Sequence, residues 1–327
     1  MNKKKDWSLF HARLHRQLKQ SNLLPHETKI LMAVSGGQDS LCLAKLLLDL
    51  QPKWQWHIAI AHGDHNWSTD AGIADRVGEI ANNWSLPFYL RQANNLQETE
   101  AAARKWRYQI LTEIAETHNF DCVVTGHTKS DRAETFLYNL IRGAGADGLS
   151  SLSWQRSLTD KIQLVRPLLD FTRKETLLFC QQFDLPVWFD AVNNNMQYAR
   201  NRIRQDLIPY LQENFNPQVE NSLVQTAELL KSDTEYLEAR ANSLLIAIAD
   251  TDKQQLNRIE LRSIPLALQR RTIRQFLPSI IKKQPNFEQI EAVRRLIDAP
   301  NKTRTSTLAR NLFALALDEW IVFAKSD

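Results

Sequence analysis

Residues 29–40 read KILMAVSGGQDS, and that stretch constrains the fold more than any other. Residues 30–34 form a short apolar run with turn chemistry straight after it, the pattern of a strand buried in a parallel sheet. Ser35, Gly36, Gly37, Gln38, Asp39 and Ser40 follow. Leu41, Leu43, Leu46, Leu47 and Leu50 then supply the apolar face of a helix. Strand, glycine turn and helix in that order make an anion site. Adjacent glycines allow positive φ and close approach of a ligand. The free N–H groups and dipole of the next helix face a phosphate. Ser35 and Ser40 offer hydroxyls. Asp39 would repel a phosphate unless it holds a magnesium ion that bridges to it.

The stretch is not a Walker loop, because G-x-x-x-x-G-K-[ST] is absent. It is not a dinucleotide fingerprint either, because no third glycine has the right spacing. The SGGxDS pattern resembles the pyrophosphate loop of the N-type ATP pyrophosphatases (PP-loop proteins). The resemblance implies ATP binding, cleavage between the α and β phosphates, and adenylation of an oxygen on a substrate.

Along the chain, residues 7–20 read as an amphipathic leader helix with Phe10, Leu14 and Leu18 on one face. Strand patterns at 30–34, 56–62, 87–90 and 122–126 alternate with helical patterns at 70–84, 99–119 and 130–142. That alternation predicts a doubly wound parallel α/β sheet, whose ligands sit beyond the carboxyl ends of the strands. An extended VRPLL piece, a helix over 173–183 and a polar loop entering a helix over 190–204 come next. Asn216-Pro217 reads as a boundary. The expected domains are 1–216, catalytic, and 217–327, smaller and mostly helical, with alternation returning near 312–323.

The length of 327 residues suits two domains. A net charge of +4 is compatible with nucleic acid without demanding it. Cys42, Cys122 and Cys180 are scattered, with no C-x-x-C, so a disulfide framework, zinc site or iron–sulfur cluster is not expected. No apolar run has the length of a signal core or membrane span. The expected location is therefore cytoplasmic, with no membrane partner.

Several further residues fall at strand ends. His62-Gly63-Asp64-His65 reads as a nucleotide-edge loop in preference to a metal site, with a plain polar loop equally open for His65. Gly126-His127 precedes Asp131 and Glu134, which lie three apart at a helix start and share a face. Acidic residues are common in a first turn. Beside an ATP site the pair also suits binding an ammonium, acting as a general base, or sharing a cation. Arg104 and Arg107 lie one turn apart on the 99–119 helix, and Arg200, Arg202 and Arg204 cluster further on. Each group reads either as a solvated face or as a phosphate contact.

The ordered motifs AVSGGQDS, HGDH, EAAARKWRY, GHTKSDRAETFLYNLIRGAGADGL, RPLL and DAVNNNMQYARNRIRQDLIPYL resemble those of the isoleucine-tRNA lysidine synthetases. The resemblance covers roughly residues 28–213 and weakens over the tail, which it likens to a tRNA-binding appendage. It implies an adenine nucleotide alpha hydrolase-like fold and a fixed reaction. ATP adenylates the carbonyl oxygen at carbon 2 of the wobble cytidine in an isoleucine tRNA with a CAU anticodon. The ε-amine of L-lysine then displaces AMP, forming lysidine.

By the same resemblance Asp39, Asp131 and Glu134 are catalytic, and Asp39 holds magnesium. Ser35, Gly36, Gly37, Gln38, Asp39, Ser40, His62 and Gly126 bind ATP. Asp131 and Glu134 recognise lysine, and Arg104, Arg107, Arg200 and Arg204 face tRNA. A homodimer is compatible with this picture. The chain departs from the family pattern at Thr128 and Ser130, where a second histidine and a first aspartate are usual. It departs again at Ser68, which removes a basic contact. A PP-loop tRNA thiolase or another adenylating tRNA-modifying enzyme is the alternative. A thiolase needs paired cysteines or a cluster; an amidotransferase needs an ammonia source.

Overall fold

The computed structural model describes residues 7–150, 152–188, 196–250 and 252–325. The chain divides into two compact units, Met1–Glu228 and Leu229–Asp327.

Among its described residues the first unit carries a six-stranded sheet: β1 (Lys29–Ala33), β2 (His57–Asp64), β3 (Phe88–Gln92), β4 (Cys122–Thr125), β5 (Gln155–Ser157) and β6 (Gln163–Val165). The order is β3-β2-β1-β4-β6-β5. β1 pairs parallel with β2 on one side and with β4 on the other, so the topology reverses at β1. A crevice opens beyond the carboxyl ends of the two central strands at such a switch point. The edge strand β5 runs antiparallel to β6, so the sheet is predominantly and not wholly parallel.

β1 shows why this strand is central. Ile30, Met32 and Val34 point to one face and pack with α1 (Leu9–Ser21), α2 (Gln38–Trp54), α3 (Ile73–Asn83) and α7 (Arg173–Gln182). Leu31 points to the other face, against Ile110, Leu111, Ile114 and Ala115 of α4 (Glu100–Thr117). Burial on both faces explains the continuous apolar run. The leader helix docks through Leu14 and Leu18, both fully buried. Its Ser8 and His11 form a reciprocal cap at the N-terminus.

α5 (Lys129–Ile141) and the short α6 (Ala146–Leu149) follow β4. The polar segment entering a helix lies partly outside the described residues, at 190–195. Beyond it come α8 (Ala199–Arg202), a π-helical stretch (Ile203–Leu207) and α9 (Ile208–Asn214). Pro209 lacks an N–H and its ring crowds the carbonyl four residues back, which disfavours a regular ladder there. The N–H of Ile208 bonds to the carbonyl of Ile203 instead.

α10 (Val219–Ile248) begins just after Asn216-Pro217, yet the units divide later, after Glu228. Its first turns belong with α5. Val219 and Leu223 pack beside Ala133 and Leu137, and Lys129 donates to Asn221 at 3.0 Å. The second unit contains more than helices. A four-stranded antiparallel sheet joins β7 (Ala249–Asp250), β8 (Gln255–Asn257), β9 (Leu312–Leu317) and β10 (Trp320–Lys325), in the order β7-β8-β10-β9. It packs with α11 (Arg258–Ser263), α12 (Leu266–Ile281) and α13 (Phe287–Arg295) around Leu256, Ile273, Phe276 and Ile321.

Candidate active site

A cleft of about 450 Å³ opens at the β1/β4 switch point, a volume suited to a small-molecule site. Its floor is the glycine turn. Gly36 has φ +83°, a conformation strained for other residues, and a Cβ there would lie 3.3 Å from Ile73 Cγ2. Gly37 differs, with φ −77° and only an ordinary 3.8 Å contact from a built Cβ to Ser35 Oγ. It is the N-cap of α2 and brings no side-chain cap, so no capping side chain covers the first-turn N–H groups. The turn is tied internally. The Ser35 N–H donates to Ser40 Oγ at 3.2 Å, and Ser40 Oγ donates to the Gly37 carbonyl at 2.9 Å. The Trp188 N–H donates to the Gly36 carbonyl at 2.9 Å.

Asp39 stands in the first turn of α2. Thr176 Oγ1 donates to its Oδ1 at 2.5 Å, and Arg173 Nη1 lies 3.3 Å from Oδ2. Burial pushes this carboxyl above the usual range, against the pull of Arg173 and with the help of Asp131. Gln38 turns away to the Arg173 carbonyl and Thr176. Sequence reasoning missed Arg173 and Thr176. The available signal was the capping pair Thr172 and Glu175, which starts α7 and sets both residues at its first turn.

His62 lies inside β2 and not beyond it, because the strand runs on to Asp64. Its Nδ1–H donates to the Val34 carbonyl at 2.7 Å, and burial holds it below the usual histidine range. The neutral ring therefore keeps Nε2 as an acceptor. His65 is paired with Asp70 at 2.9 Å and stacked on Trp67. Gly126, at the end of β4, meets the backbone of Asp39 and Ser40. His127 bonds Thr125 Oγ1 through Nδ1 at 2.8 Å, and burial lowers its pKa to about 4.

Asp131 and Glu134 both face the cleft, and each already has work. Thr128 donates its N–H at 2.7 Å and its hydroxyl at 2.8 Å to Asp131 Oδ2, closing a capping box at the start of α5. Burial would raise the Asp131 carboxyl, but His127, Arg173 and the two Thr128 bonds together hold it below its usual value. Glu134 is 3% exposed, and Arg204 donates to both its oxygens, Nε to Oε1 at 2.6 Å and Nη2 to Oε2 at 2.7 Å. Burial still leaves this carboxyl above its usual range. Arg204 also lies 3.6 Å from Asp131 Oδ1. The departures from the motif are filled locally. Thr128 caps α5, and Ser130 Oγ accepts the Arg173 N–H at 3.2 Å, joining α5 to α7.

The arginines divide. Arg104, Arg107, Arg200 and Arg204 all line the cleft. Among the described residues Arg104 and Arg107 make no ion pair, while Arg200 meets Glu100 at 2.8 Å. Arg202 donates to the carbonyls of Met196 and Gln197 and does not line the cleft. None of the three thiols lines the cleft, although Cys180 Sγ donates to the Gln38 carbonyl at 3.3 Å. Cys42, Cys122 and Cys180 are all buried, and burial raises each, Cys180 to about 12.

Residues 10–211 match the PP-loop domain family. A tRNA(Ile)-lysidine synthase of Nostoc sp. is 51% identical, covering 98% of this chain and 98% of its own. One from Synechocystis sp. is 54% identical over 92% of this chain and 93% of its own. A chloroplastic tRNA(Ile)-lysidine synthase of Pyropia yezoensis is 37% identical, covering 89% of each chain. Among solved structures, the U34-tRNA thiolase NcsA of Methanococcus maripaludis, with its [4Fe-4S] cluster, superposes with a TM-score of 0.57. It covers 68% of this chain and 79% of its own at 18% identity, which is a likeness of fold alone.

Proposed function

The chain belongs to the tRNA(Ile)-lysidine synthase family of PP-loop proteins, and from that premise we infer that it ligates L-lysine to carbon 2 of the wobble cytidine in an isoleucine tRNA with a CAU anticodon. A ring carbonyl is a poor electrophile, so a leaving group must be installed first. The carbonyl oxygen attacks the α-phosphorus of ATP and pyrophosphate departs. The ε-amine of lysine then attacks carbon 2 and AMP leaves with the oxygen. Lysine arrives as an ammonium, and the Asp131–Glu134 pair that binds it takes a proton before the amine attacks.

The glycine turn and the N-terminus of α2 suit the phosphates. Gly36 shapes the turn, Gly37 gives access, and Ser35, Gln38 and Ser40 fix its geometry. His62 and Gly126 border the same cleft. Asp39 and the Ser35 hydroxyl line the cleft as oxygen donors of the kind magnesium takes, while the Ser40 hydroxyl is already engaged within the turn. When bound there, that ion would neutralise charge on the departing pyrophosphate; Asp39 would hold it. Asp131 and Glu134 take the lysine ammonium. Asp131 Oδ1 is the oxygen left over from the capping box. Arg104, Arg107 and Arg200 face the tRNA, and Arg204 reaches it only after leaving Glu134. The second unit, Leu229–Asp327, serves as a tRNA-binding domain. The enzyme acts in the cytoplasm, and a homodimer is compatible with this scheme.

One observation carries the reading: the phosphate turn and the Asp131–Glu134 pair share a single cleft at the switch point. The thiolase alternative has no accessible thiol to use, because all three cysteines are buried. The experiment is pyrophosphate release. It should require both ATP and a tRNA with a wobble cytidine. Release with a tRNA lacking that cytidine would overturn the assignment.

A further inference from the structure

Glu134 poses a physical problem that the reaction scheme leaves open. A carboxylate only 3% exposed needs a counter-charge or it takes up a proton. The groups that face it are Asp131 on its own helix, Arg173 at the start of α7, and Arg204. Asp131 adds repulsion. Arg204 supplies the cation, with the two-pronged fork at 2.6 and 2.7 Å. Arg204 thus stands against the carboxylates to which the reading above assigns the lysine ammonium.

We propose that Arg204 is a placeholder cation, which pairs with Glu134 in the empty enzyme and exchanges with the ε-ammonium of lysine, so that it sets how tightly lysine binds. The proposal rests on Asp131 and Glu134 being the lysine site. Exchange of one cation for another leaves no bare charge buried at either end of the step, so its cost is far below that of unpairing Glu134. Two features give Arg204 a way out. Its side chain is 22% exposed and lines the cleft, whereas that of Glu134 is 3% exposed. It also sits on the π-helical stretch Ile203–Leu207, where a widened turn can shift register at lower cost than a regular helix.

The test compares wild type, Arg204→Lys and Arg204→Ala, all as the full chain, at saturating ATP and tRNA. Arg204→Lys keeps the charge and loses the fork. Its lysine KM should fall roughly fivefold, the equivalent of about 1 kcal/mol lost from the bidentate hold. In Arg204→Ala, added methylguanidinium should refill the vacated position and inhibit competitively against lysine, while wild type stays insensitive at the same concentration. Pyrophosphate release from ATP and tRNA without lysine is measured alongside. An unchanged lysine KM in Arg204→Lys, or activation of Arg204→Ala by methylguanidinium, would overturn the placeholder role, since either result makes the arginine a group the reaction requires. Arg204→Lys retains the ion pair and so covers the case in which Arg204→Ala fails to fold. Failure of wild type to release pyrophosphate at all would instead count against the lysidine reading itself.

Discussion

Gly126 and the backbone of Asp39 touch: a Cβ built on Gly126 would lie 2.8 Å from the Asp39 carbonyl carbon and oxygen. The end of β4 thereby holds the first turn of α2 against the sheet, and the turn cannot yield because its atoms are main chain. Gly126→Ala should cost about 1–3 kcal/mol of stability through overpacking. It should also lower ATP-dependent pyrophosphate release by displacing Asp39. Gly37→Ala makes the contrast, since its φ of −77° and its nearest neighbour at 3.8 Å accept a methyl group. Thermal unfolding should be near wild type for Gly37→Ala and clearly lower for Gly126→Ala, with ATP binding impaired in both.

Asp39→Ala should abolish adenylation. Thr176→Val is the finer probe, because it removes the 2.5 Å hydrogen bond to Asp39 and nearly preserves shape. A hydrogen bond to a charged group contributes about 1.5–3 kcal/mol. Pyrophosphate release should therefore fall at least about tenfold, with lysine KM unmoved. Release at the wild-type rate would show that Asp39 does not depend on α7 for its orientation.

Glu134→Ala should separate the two half-reactions. Adenylation, read as pyrophosphate release without lysine, should persist, while lysine KM rises by about tenfold or more as a charge-assisted partner is lost. Normal lysine dependence in this variant would remove Glu134 from the lysine site.

His127 makes stability depend on pH. Its folded pKa, about 4, lies below its unfolded value of about 6.5. The unfolded chain then binds more protons between those values, so this stability is complete above about pH 6.5 and is lost as pH falls toward 4. Urea midpoints at about pH 7 and about pH 5 should differ less in His127→Gln than in wild type. Equal pH sensitivity in both would mean the histidine is not held neutral by burial.

Arg104 and Arg107, which make no ion pair among the described residues, should show themselves in salt dependence. Arg104→Ala and Arg107→Ala should each weaken tRNA binding and lower the slope of log affinity against log salt by about 1. Arg202→Ala should leave that slope alone, since its guanidinium is bound to the Met196 and Gln197 carbonyls away from the cleft.

Local signals made the glycine turn and its place in the fold legible in the sequence. SGGQDS follows a strand buried on both faces, and the alternation of strands and helices fixes the end of the sheet at which ligands sit. Contacts made across the chain were another matter. Nothing near Asp39 in the sequence announces Thr176, 137 positions away, and nothing near Glu134 announces Arg204, 70 positions away. A capping box also looks the same whether its acid does nothing else or faces a cleft, as Asp131 does. In the tail, β7 and β8 are too short for a period-2 pattern to emerge, whereas the alternation in β9 and β10 was visible.

In the proposed function one cleft both activates a cytidine and delivers lysine to it. The most direct measurement is mass spectrometry of an isoleucine tRNA transcript with a CAU anticodon, after incubation with the full-length enzyme, ATP, magnesium and isotope-labelled lysine. The label should appear on the wobble nucleotide alone, with one AMP and one pyrophosphate formed per lysine attached. Consumption of ATP with no label on that nucleotide, or label at another position, would contradict it.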